Sequence, residues 1–284
     1  MFSLLLSSML LFTQHTPAAP PALPSACTSV SSAPIPDISG LLHQVVDHQR
    51  QLDMTRENYT YREVQVTQEL NRDGSTKKTE TEDYDVFFVN THQVERLVEK
   101  DGKALTPDEE RKEQDRIAKS IAKAQSTPPG QSAEADTISV TRLLEIMKVD
   151  HPRRILLDCR STIAFDFTGD PHAKAHGRIE NLSKKLSGTL WIDEQDHQVR
   201  RIIARIDDNF RIGFGLMSVQ KGSNFTFDQT LVKNELWLPT GADIHLVAHA
   251  LGLIGYRANI HVTDGSYEKF HATASQQPGA RTTQ

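Results

Sequence analysis

Gly188-Thr189-Leu190-Trp191-Ile192-Asp193-Glu194-Gln195-Asp196-His197-Gln198-Val199-Arg200-Arg201-Ile202-Ile203-Ala204-Arg205-Ile206 is the stretch whose rhythm decides the fold class. An apolar-aromatic run, Leu190-Trp191-Ile192, meets a polar, acidic turn. The run that follows alternates: Val199, Arg201, Ile203 and Arg205 fall on one side, Arg200, Ile202, Ala204 and Ile206 on the other. Side chains of a strand alternate faces with a period of two, so the two runs predict an antiparallel hairpin.

The same grammar extends outward in both directions. Toward the C-terminus, Phe225 to Leu231 alternates, and Glu235 to Thr240 predicts a strand ended by Pro239. Asp243 to Ala250 and Tyr256 to Thr263 predict a last pair. Toward the N-terminus, strands resume from Ile155, and Ile163-Ala164-Phe165-Asp166-Phe167 puts both phenylalanines on one face. Tyr59 to Leu70 reads as a strand followed by a turn containing Asp73-Gly74. Its partner runs through Tyr84, Val86 and Phe88, and Val94 to Glu99 ends at a second Asp-Gly pair, Asp101-Gly102.

Helices flank and interrupt these strands. Ile38, Leu41, Leu42, Val45, Gln49 and Leu52 follow a 3.6-residue stripe. Thr106-Pro107-Asp108-Glu109 is a capping box that opens a charged helix to about Ala124. A Ser/Pro/Gly/Ala linker over 125–136 leads to a second helix, Ile138 to Met147, with a wider apolar face. Two readings of residues 103–148 stand: a flap over one face of the sheet, or a surface insertion with one helix in the core.

The sum is an α+β fold dominated by one large curved antiparallel sheet of about nine to eleven strands, an incomplete β-barrel with helices on its concave face. Sheets of this size curl, and the concavity must be filled. Phe88, Phe165, Phe167, Trp191, Phe214, Phe225, Phe227 and Trp237 supply bulk for it, with Leu144 and Met147 from the second helix. If the helices fill the concavity, these residues are core; if they fill part of it, the remainder is an apolar ligand pocket.

The first 36 residues carry no Lys, Arg, Asp or Glu, and Leu4 to Phe12 is an apolar run before a Pro/Ala stretch. That layout predicts an export signal over 1–26, then a linker over 27–36, one domain over 37–275 and a disordered tail over 276–284. Cys27 follows small residues and is a candidate lipidation site, simple cleavage near Ala26 or Ala22 being the alternative. The other cysteine, Cys159, follows Ile155-Leu156-Leu157-Asp158 and reads as a small buried hydrophobe.

The chain has 284 residues, 37% hydrophobic and 24% charged, with a net charge of −5, so nucleic acid is not an expected partner. No Gly-x-Ser-x-Gly elbow or His-Glu-x-x-His is present, and Gln220-Lys221-Gly222-Ser223 lacks the upstream glycine of a phosphate loop. His172, His176 and Asp170 sit beside Pro171 and Gly177, which favour a loop over a metal-binding helix. His245 and His249 share a strand face but lie about 13 Å apart along it. Asp193, Glu194 and Asp196 form an acidic turn of the kind that wet hairpins carry. The reading is non-enzymatic, with no metal and no cofactor.

Gly188 to Asp193 followed by Gln198 to Ile202, with Lys221-Gly222-Ser223-Asn224-Phe225, Asn234 to Pro239 and Tyr267-Glu268-Lys269-Phe270, resembles the outer-membrane lipoprotein-sorting and carrier superfamily. The likeness covers residues 155–270 well and the first half by element order. It implies a half-open antiparallel barrel around helices, an apolar cavity for acyl chains, a periplasmic location and no catalytic residue. On that resemblance the partner is a lipid or acylated protein; the protein is expected to be a monomer, and a lipidated Cys27 would tether it to the membrane. The charged segment from Lys100 to Lys148 has no counterpart in the resemblance. A structural or sensory envelope protein acting through protein contacts is the alternative.

Overall fold

The structure, a computed structural model, describes residues 32–129, 140–175, 177–212, 217–250 and 254–269. In chain order the elements are α1 (Ile38–Arg56), β1 (Tyr59–Leu70), β2 (Thr76–Val89), β3 (His92–Lys100), β4 (Lys103–Ala104), α2 (Pro107–Ser126), α3 (Val140–Glu145), β5 (Met147–Leu157) and β6 (Arg160–Gly169). There follow α4 (Gly177–Ser183), β7 (Leu186–Asp193), β8 (Val199–Ile206), β9 (Phe210–Ile212), β10 (Met217–Val219), β11 (Asn224–Val232), β12 (Leu236–Ala250) and β13 (Ile254–Lys269). The thirteen strands form one open sheet in the order β4-β3-β2-β1-β13-β12-β11-β8-β7-β6-β5, with the β9–β10 hairpin attached through β10 to the end of β12. The α+β, open-barrel expectation therefore holds, with more strands than the nine to eleven counted. The signal segment over 1–26, Cys27, Phe214, His176 and the tail over 276–284 lie outside the described residues.

Local chemistry accounts for most boundaries. Asp37 caps α1 by accepting from Gly40 N–H, and Thr106 and Glu109 complete their reciprocal capping box at α2. Four hairpins close on two residues with positive φ: Asn90-Thr91, Asp101-Gly102, Asp158-Cys159 and Lys233-Asn234. Those pairs match the twist of the strands they join. Cys159 is consequently exposed in the β5–β6 turn and disulfide-bonded, not a buried hydrophobe.

Two strands depart from expectation. β12 runs through Pro239 without stopping, because the register shifts between Asp228 and Gln229 opposite it. A proline lacks a donor, and a bulge is where a ladder tolerates that. β5 begins at Met147, eight residues before Ile155, so Met147 opens a strand and does not end a helix. It is an edge strand, bulged between Asp150 and Arg153 around Pro152.

The two halves of the 103–148 segment part company. α2 lies along the free edge of β3: Glu113 accepts from Leu97 N–H at 2.7 Å, Arg116 donates to Glu95 O, and Asn90 and His92 bond Thr127 O at 2.7 and 3.0 Å. Side chains of the helix thus satisfy backbone groups that an uncovered edge would present to another chain. α3 puts Leu143 and Leu144 into the core with α1. Of the described parts of this segment, α3 packs in the core and α2 covers an edge of the sheet.

Candidate functional site

Pairing register determines what shares the helix-bearing face. One row crosses the sheet as Phe165, Leu190, Ile202, Phe227, Ala242, Val262, Gln65 and Glu82. The next runs Phe167, Gly188, Ala204, Phe225, Ile244, Ile260, Thr67 and Glu80. Both rows begin apolar at β6 and end acidic at β2.

The apolar end is packed. Leu41 and Val45 of α1 and Leu143 and Leu144 of α3 meet Ile163, Phe165, Phe167, Leu190 and Ile202, with Phe165 fully buried. Phe225, Phe227 and Met147 are half-buried against this cluster. Of the residues expected to line a pocket, Phe165, Phe167, Phe225, Phe227, Leu144 and Met147 therefore come together.

The other three described ones do not join them. Trp237 belongs to a second cluster with Leu52, Tyr59, Leu236 and Leu238. It is 4% exposed, its indole N–H donates to Asp196 at 3.0 Å, and the Arg160 and Arg200 guanidiniums each lie 5.5 Å from its ring. Phe88 sits beside Tyr61, itself 5.3 Å from Tyr267. Trp191 pairs with Ala164 and Arg201, and so stands on the opposite face of the sheet from Leu190 and Ile192.

Between the two ends lies a strip that the sequence reading did not single out as a site. Ile244 and Leu246 of β12 and Ile260 and Val262 of β13 are half-buried, face the helix side, and belong to neither cluster. Ile244 pairs directly with Ile260, and Ala242 with Val262. The signal was present as the alternation of 242–246 and 258–262, but nothing local tells a covered apolar row from an uncovered one.

The acidic end carries its own electrostatics. Glu63 pairs across the strands with Asp264, and Glu95 and Tyr84 lie close by. Burial raises the Glu63 carboxyl to about 8 and Asp264 to about 6, with the neighbouring negative charges pushing the same way. Both carboxyls are thus shifted toward their protonated forms, Glu63 the more strongly. The hydroxyl of Tyr267 and one oxygen of Asp264 are buried without a protein partner. Further along, Tyr84 donates to Glu82 at 2.9 Å, and Lys100 lies 3.4 Å from Glu82.

The other charged sites are internally neutralised. Asp193 is held by Arg160 at 2.6 Å, Glu194 by Arg154 at 2.5 Å, and Asp196 by Arg160 at 2.8 Å, so the acidic turn is an ion-pair network. His245 bonds Asn259 and His261 bonds Asp243. Among the described residues no three or more His, Cys, Asp or Glu side chains gather as a metal site. No described helix is long and apolar enough to cross a membrane.

No protein-family model matches the chain, and no curated protein matches it. Among solved structures it is similar to the crystal structure of LolA superfamily protein NE2245 from Nitrosomonas europaea. That likeness has 10% identity over 81% of this chain and 94% of that one, with a TM-score of 0.35. It is also similar to MucB in complex with MucA(peri), at 9% identity over 83% of this chain and all of that one, with a TM-score of 0.24. At this depth neither likeness carries an argument about what this chain binds.

Proposed function

We propose that this chain is a non-enzymatic, exported cell-envelope protein that holds an apolar or acylated ligand against the helix-bearing face of its sheet. The observation that carries the reading is the half-buried strip of Ile244, Leu246, Ile260 and Val262, which the protein's own helices leave outside both core clusters. An alkyl tail laid along it would extend the apolar cluster at Phe225 and Phe227 and bury surface that water now touches. In this reading Phe225, Phe227, Leu144 and Met147 form the inner wall of the site, and Phe165 and Phe167 back it as core.

Native mass spectrometry of protein purified from an envelope fraction, together with uptake of a fluorescent fatty acid, tests this. Copurified lipid and saturable uptake that Ile260→Asp abolishes are expected. Absence of both in the wild-type protein would leave the alternative, a structural or sensory envelope protein acting through protein contacts. A bound disulfide at Cys159 and acylation of Cys27 exclude each other in one chain, because the sequence holds two cysteines. Intact mass with and without reductant decides between a tethered and a free protein.

A further inference from the structure

The opposite, outer face of the sheet carries a cleft of about 1050 Å³ over β5 to β8 and the start of β11. That is the size of a small-ligand site. Trp191, Thr189 and Ser187 stand in line along β7, with Ile203 and Arg205 beside them on β8 and Asn224 beyond on β11. Ser187 is 6% exposed, and its hydroxyl finds no partner in the protein. A buried hydroxyl without a partner is unfavourable, and one that lines an open cleft is satisfied by what enters it.

The charges around the cleft define what enters. Arg201 is paired with Asp228, Arg153 with Asp166, Lys148 with Asp170 and Arg205 with Asp207. Each basic group therefore has its counter-ion, and an ionic ligand would compete with pairs already made. Asp150 and His151 also line the cleft, with the His151 ring 3.9 Å from Asp150 and 3.6 Å from Asp166, and what remains for recognition is an indole, an aliphatic side chain, the hydroxyls of Thr168, Ser187 and Thr189, and an amide. Asn224 donates to Gly222 O, which leaves its side-chain carbonyl free to accept. We propose that this cleft binds a neutral sugar ring of a glycan. The apolar C–H face of the ring stacks on Trp191 and Ile203, while ring hydroxyls, which both donate and accept, satisfy Ser187 and Asn224.

Because this face is opposite the proposed acyl site, the two readings fail independently. Tryptophan emission of the full chain is titrated with maltotriose, triacetylchitotriose and a neutral tetrapeptide. Trp237, buried and tied to Asp196, serves as the internal reference. A saturable response to a sugar is expected, lost in Trp191→Ala and weakened about two- to tenfold in Ser187→Ala, with fatty-acid uptake unchanged. Should Trp191→Ala fold poorly, Ile203→Lys at a 42% exposed position blocks the same cleft and must abolish the response. A response to neither sugar, one that survives both blocking variants, or saturation by the tetrapeptide alone overturns the proposal.

Discussion

The two ends of one sheet face solve the same problem by opposite means. Over β5 to β8 and β11 the face is apolar and α1 and α3 cover it, so burial of side chains such as Phe165 supplies the stability. Over β1 to β3 the same face carries Glu63, Gln65, Thr67, Glu80 and Glu82, and the helix of that region runs along the edge instead. A face with carboxylates cannot be sealed by an apolar helix without stranding charge, so its protection goes to the exposed backbone edge. The lesson is that cover follows residue chemistry strand by strand, and the boundary between the two regimes is the half-covered strip on β12 and β13.

Four measurements break or sharpen that contrast, the largest first. Phe165→Ala should lower unfolding free energy by about 3–5 kcal/mol in urea, whereas half-buried Phe88→Ala should lower it by about 1–2 kcal/mol. Equal losses would erase the distinction between a packed end and a polar one.

The second is pH. Glu63 and Asp264 have folded-state values near 8 and 6, above their ordinary values of 4.5 and 3.8. Their contribution to stability is therefore complete below about pH 4 and is lost as pH rises through about 6 and then 8. Glu63→Gln, neutral throughout and still able to donate to Asp264, should match the wild type at pH 5 and be the more stable protein at pH 9. Denaturation midpoints across that range, with carboxyl titration by NMR, check this; an unchanged pH profile in the variant would remove the acidic pair as its cause.

Third, Glu113→Ala strips the acceptor from Leu97 N–H and the partner from Arg116, and should lower stability by about 1–2 kcal/mol. It should also increase concentration-dependent association through the uncovered β3 edge, read by light scattering. The smallest effect lies in the β2–β3 turn, where Thr91, a β-branched residue, is held at φ 68. Thr91→Gly should raise the melting midpoint by the equivalent of about 1 kcal/mol, since glycine adopts that conformation without the side-chain clash.

How far the sequence led can be judged residue by residue. The hairpin around Asp193 to Gln198, the helix from Ile38 and the Thr106 capping box were legible, because period and caps are local. The turn at Asp101-Gly102 announced itself, whereas Asp158-Cys159 and Lys233-Asn234 adopt the same geometry without glycine and gave no such signal. α4 was missed for its brevity, and the first half of β5 for its proline.

Alternation by itself determined the antiparallel α+β class and which residues travel together, since a period of two assigns every second side chain to one side. It could not say which side is covered. Trp191 looked interchangeable with Phe165 as pocket lining, yet pairing places them on opposite faces. Glu63 and Asp264, some two hundred positions apart, become neighbours only because β1 pairs with β13. Contacts of that kind are set by long-range register and by where the helices come to rest, and those depend on the summed burial of the whole sheet, which no local segment encodes.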